Sequence, residues 1–128
     1  MSYAFTTELN CTFAEAESRC RDRLAAKGFG VLTEIDVSQT LKKKIDVEFR
    51  PYKILGACNP PFAHRILQHD GLAGLMLPCN FVIQQQADGI VQVAAVDPVA
   101  SLQAVTNAGV QQAITEIQAV VRDVIESL

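Results

Sequence analysis

CNFVIQQQADGIVQVAAV, residues 79–96, decides the fold. Two strand-like runs, CNFVIQQQ (79–86) and IVQVAAV (90–96), flank Ala87-Asp88-Gly89, and Asp-Gly between such runs signals a tight hairpin. The two strands are therefore antiparallel neighbours. Downstream, Asp97-Pro98 opens a short helical turn, with aspartate as N-cap and proline at the first helical position. Asn107 or Gly109 then precedes a long final helix. Its apolar positions Val110, Ala113, Ile114, Ile117, Val120, Val121, Val124, Ile125 and Leu128 recur every three or four residues. That stripe needs a large apolar partner. The sheet is the expected one, with self-association secondary.

Upstream, YAFTTEL (3–9) alternates aromatic and β-branched residues as a strand with one covered face does. Thr12-Phe13-Ala14-Glu15 reads as a capping box in which the hydroxyl takes the Glu15 amide and the glutamate reaches the Thr12 amide. The helix it starts carries Phe13, Ala16, Cys20 and Leu24 on one stripe, a Glu17–Arg21 surface pair, and Gly28 as its left-handed stop. Cys20 reads as core. FGVLTEID (29–36) is a second strand. Ser38 is the expected cap of a short helix with Leu41 and Ile45 on its buried side and Lys42, Lys43 and Lys44 in water. PYKILGA (51–57) is a third, well-covered strand. The order predicts an α+β fold over 1–128 as a single domain: a mainly antiparallel five-stranded sheet, its two main helices on one face, order β-α-β(4)-α with short helical insertions.

Composition narrows the function. The 128 residues carry a formal charge of −3, and the positive charges lie scattered among acidic neighbours, so nucleic acid is not an expected partner. No apolar run approaches the ~18 residues of a membrane span. The beginning, MSYAFTTELN, lacks a basic segment followed by an apolar one, and a cytoplasmic location is expected. Cys11, Cys20, Cys58 and Cys79 show no Cys-x-x-Cys spacing and read as free thiols. Gly28-Phe29-Gly30 is too short for a phosphate loop. No cofactor is implied.

The candidate site lies in ILGACNPPFAH (54–64) and LMLPCN (75–80), where a Cys-Asn pair recurs at an extended-segment boundary. Asn59 precedes a proline and is suited to cap a helix with Pro60 at its first position. Cys58 then sits just outside a helix N-terminus, whose partial positive charge favours thiolate where water has access; a buried Cys58 would be inert. His64, one turn into that helix, can lean back toward the sulfur, or simply be solvated. Whether Cys79 meets Cys58 depends on chain direction. Parallel strands joined by a crossover would hold the cysteines roughly 15–20 Å apart, at opposite sheet ends. Antiparallel strands bring both Cys-Asn pairs to one place, and the antiparallel assignment puts Cys58, Asn59, Cys79 and Asn80 around one pocket.

FGVLTEIDVSQTLKKKIDVEFRPYKILGACNPPFAH, followed by GLMLPCN and AAVDP, closely resembles the uncharacterised bacterial and archaeal family called domain of unknown function 302, over about Phe29 to Pro98. The resemblance implies an α+β fold of order strand, helix, four strands, helix, often seen as a dimer, and no established activity. Its recurring positions fall on Asp36, Leu41, Lys44, Cys58, Asn59, Pro60, Cys79 and Asp97. Asp36 and Lys44 can form an ion pair or bring charge to the pocket. The leading expectation is a small cytoplasmic domain, as a homodimer, binding or sensing a small-molecule ligand at Cys58, Asn59, Cys79, Asn80, Asp36, Lys44 and His64. The alternatives are thiol or sulfur-transfer chemistry by Cys58 with Cys79, soft-metal (copper) binding by these two thiols with or without His64, and a purely structural role.

Overall fold

The computed structural model describes residues 2–128. Its strands are β1 (Ala4–Leu9), β2 (Gly30–Asp36), β3 (Tyr52–Cys58), β4 (Cys79–Ala87) and β5 (Ile90–Val96). They form one sheet in the order β1-β5-β4-β3-β2, with every neighbouring pair antiparallel. The Asp-Gly hairpin closes as a two-residue turn, since Ala87 pairs with Ile90. The helices are α1 (Phe13–Ala26), α2 (Val37–Ile45), α3 (Pro60–His69), α4 (Pro98–Ser101) and α5 (Ala108–Glu126), with a 3-10 turn at Gly71–Met76. This is the α+β architecture expected above, and α1 and α5 pack on the same sheet face.

Alternation along the central strands builds the core. Leu55 and Ala57 on β3, Phe81 and Ile83 on β4, and Val91, Val93 and Ala95 on β5 are buried beneath the helices. Asn80, Val82, Gln84, Gln92 and Ala94 take the other face and stay exposed or half-buried. Ala16, Cys20 and Leu24 of α1 and the α5 stripe from Val110 to Ile125 close the first face. Each fully buried valine, leucine or isoleucine contributes about 1.5–3 kcal/mol, so the stripes, not intrinsic propensity, hold these helices.

A charged cluster pins α1 to the sheet. Glu17 accepts from Lys53 Nζ at 2.8 Å and from Arg21 Nε at 2.9 Å, and Arg21 also reaches Glu34. Burial pushes the Glu17 carboxyl up, but the hydrogen bonds from Lys53 and Arg21 outweigh it and hold the group below its ordinary value.

The helix starts mostly follow side-chain chemistry expected from the sequence. Asp97 accepts from the Val99 amide at 2.9 Å, and Asn107 caps α5. Thr12 accepts from the Glu15 amide at 3.1 Å, but the Glu15 carboxylate takes the Thr12 hydroxyl at 3.3 Å instead of the backbone amide. The expected Ser38 cap is wrong: Asp36 caps α2, accepting from the Gln39 amide at 3.0 Å and from the Ser38 hydroxyl at 2.9 Å. A carboxylate can accept from both donors at once, so the helix starts two residues earlier than expected. The expected buried side of α2 is also absent. Leu41 is half-buried and Ile45 is 61% exposed, and although α2 lies against β2 and β3, none of its residues is fully buried.

Candidate functional site

The end of β3 and the start of β4 meet by register. Ala57 lies opposite Cys79, and Gly56 opposite Asn80, so the Cys58-Asn59 corner stands beside the Pro78-Cys79 corner. A cavity of about 250 Å³ opens there. Ala57, Cys58 and Cys79 form its sheet side, Phe62, Ala63 and Leu67 of α3 one wall, Phe29 and Leu32 another, and Gly74, Leu77 and Pro78 the roof. Asn59 is the one lining residue with an amide side chain, and no lining residue bears a charge.

Local sequence explains each placement. Gly28 ends α1 at φ +84°, a left-handed angle that turns the chain so that buried Phe29 enters the site. Val31 pairs with Ala57 and Thr33 with Gly56, so Leu32 is the extra residue of a β-bulge, re-aimed to the cavity mouth with 67% of its surface exposed. Gly56 permits the roof to close: a Cβ there would stand 2.1 Å from Thr33 Oγ1 and 2.8 Å from Pro78 Cγ.

Asn59 caps α3, its Oδ1 accepting from the Phe62 amide at 3.3 Å, with prolines filling the first helical positions. This bond assigns the oxygen end of the side chain. It leaves Nδ2, beside Gly28, without an acceptor among the described residues. Cys58 is half-buried, whereas Cys79 is 6% exposed. Burial, with a smaller contribution from neighbouring Cys58, pushes the Cys79 thiol up to about 11. Cys20 lies away in the core, where burial lifts its thiol to about 12. At neutral pH both remain protonated, and Cys58 is the cavity sulfur open to approach.

The structure thus gathers Cys58, Asn59 and Cys79, and places four other sequence candidates elsewhere. Asn80 follows Cys79 in the same strand, so its side chain points to the opposite sheet face, beside Val82 and Gln84. Asp36 pairs with Lys53, five residue steps at about 3.4 Å each from Cys58, hence roughly 17 Å away. It serves as the α2 cap. Lys44 is exposed on α2, and neither it nor Asp36 joins an ion pair with the other. His64 is exposed on the outer side of α3, outside the cavity. His64 is therefore not placed as a third copper ligand beside Cys58 and Cys79, and no group of three or more His, Cys, Asp or Glu suited to a metal occurs among the described residues. Phe29, Leu32 and Leu77 were not foreseen as site residues. Their only signal is apolar character, Phe29 and Leu77 at element boundaries and Leu32 inside β2.

No helix among the described residues is long and apolar enough to cross a membrane. No curated protein matches the chain. Its fold is similar to the crystal structure of the uncharacterized conserved protein DUF302 from Bacillus stearothermophilus, at TM-score 0.89 and 25% identity, covering 98% of each chain. The family model described as "Domain of unknown function DUF302" matches residues 5–128, and the chain belongs to that family.

Proposed function

We propose that this protein binds or senses a small uncharged molecule in the cavity at the β3–α3 and β4 corners. The observation that carries the reading is the lining: an apolar chamber of about 250 Å³, with no charged residue, two thiols and one unpaired amide donor. Its size lies above the ~150 Å³ of a dry cavity that accepts benzene and below the ~300 Å³ at which drug-sized sites begin. Nucleotides and phosphorylated cofactors are too large and too charged for it. A single ring with a short carbonyl-bearing substituent fits, its oxygen taking a hydrogen bond from Asn59 Nδ2. The free thiols suit a reducing compartment, and we place the protein in the cytoplasm.

Calorimetric titration with benzylacetone tests this. Saturable binding is expected, with a dissociation constant on the order of 0.1 mM from the usual affinity per atom of small ligands. Ala63→Phe, which puts a ring into the chamber, should weaken binding at least about tenfold. Equal binding by a folded Ala63→Phe protein, or none by the native one, overturns the reading.

A homodimer is the second part of the proposal. Leu32 and Ile35 of β2, Ile45 at the end of α2, and Val47 and Phe49 in the connection to β3 are each at least 37% exposed. A run of exposed large apolar side chains marks an association surface. Light scattering should give about twice the 13.9 kDa of one chain. Ile45→Glu with Phe49→Glu should shift it to monomer, and a native monomer at every concentration would exclude this assembly.

A further inference from the structure

We propose that Cys58 traps small uncharged α,β-unsaturated carbonyl compounds as reversible covalent adducts inside this cavity. The inference rests on the ligand-binding reading above and adds a reaction to it. A soft thiol prefers a soft, uncharged electrophile, and a charge-free chamber admits only an uncharged one.

Three features assign the roles. Cys58 is the half-buried cavity sulfur, at the mouth of a chamber that can hold its reaction partner. Asn59, the next residue, also lines the chamber and its Nδ2 has no acceptor among the described residues, so in this proposal it is the donor to the bound carbonyl oxygen while the sulfur meets the carbon two bonds from the carbonyl carbon. The N-terminus of ten-residue α3 adds a favourable field for negative charge developing on that oxygen. Cys79, almost fully buried, stays a neutral thiol and takes no part as nucleophile.

The step balances without a redox partner. The Cys58 sulfur donates an electron pair to form a bond to the β-carbon, and the carbon–carbon π pair shifts to give an enolate whose oxygen accepts from Asn59 Nδ2. The proton lost from the Cys58 thiol is returned at the α-carbon, and the carbonyl re-forms. Reversal expels the intact enone when its free concentration falls, which makes the adduct a reporter of enone level.

Benzylideneacetone, the unsaturated counterpart of benzylacetone, tests the trap. Intact mass should rise by one reagent, peptide mapping should place it on Cys58, and the rate at Cys58 should exceed that at half-buried Cys11, which lies outside the cavity, by about tenfold or more. Cys58→Ser should abolish the adduct and Cys11→Ser should not alter it. Asn59→Ser keeps an oxygen for the cap while removing the amide donor, and should slow addition by roughly tenfold or more. Binding of benzylacetone without modification of Cys58, or equal rates at Cys58 and Cys11, overturns the trap and leaves the cavity reading standing. Failure to bind benzylacetone together with no adduct overturns both.

Discussion

Phe81→Ala should lower the unfolding free energy by about 3–5 kcal/mol, the usual cost of emptying a buried aromatic position. Phe81 is fully buried on β4 and lies between Leu55 of β3 and Ala95 of β5 in register. Its ring meets that of Phe29 edge to face, with centroids 6.2 Å apart and planes at 71°. The substitution therefore removes both the area buried in the middle of the sheet and a specific aromatic contact worth about 0.5–1.5 kcal/mol. Neighbouring strands cannot collapse into the gap without breaking their ladders. In a urea titration the midpoint should fall with little change in slope. Against a total stability of about 5–15 kcal/mol, much of the folded population would be put at risk. A loss below about 1 kcal/mol would show that this part of the core repacks freely. Because Phe29 also lines the cavity, ligand affinity should fall with stability.

Gly56→Ala is expected to cost about 1–3 kcal/mol for the opposite reason, too much matter in too little space. The added methyl would collide with Thr33 Oγ1 at 2.1 Å and Pro78 Cγ at 2.8 Å. The threonine can rotate away, but the proline ring cannot. Adding Thr33→Ala should consequently restore part of the loss, while leaving the proline contact. Thermal unfolding of the two variants measures both effects, at roughly 3–6 °C per kcal/mol for a chain of this size. If Gly56→Ala unfolds like the native protein, the close approach of roof and strand is not a feature in solution.

Much of the architecture was legible because its signals are local. Asp88-Gly89 names a turn, Asn59-Pro60 and Asp97-Pro98 name helix starts, and the spacing from Val110 to Ile125 names a covered helix. Antiparallel direction then suffices to bring Cys58 near Cys79. Asn80 shows where that reasoning stopped short: it follows Cys79 inside β4, where alternation turns its side chain to the other face of the sheet. Asp36 and Lys44 were misplaced because motif membership carries no distance. Leu32 was invisible because a bulge depends on how two strands meet, and Ser38 lost its capping role to a stronger acceptor two residues earlier. The amphipathic pattern of α2 announced a helix correctly without saying that none of its residues would be fully buried.

The ladder between β1 and β5 joins Ala4 to Val96 and Leu9 to Val91, the two ends of the sheet's sequence. At a synthesis rate of about 5–20 residues per second, β1 is complete about 5–20 s before β5, the strand it pairs with among the described residues. During that interval both edges of β1 are unpaired; in the finished sheet one is paired and the other remains the sheet margin.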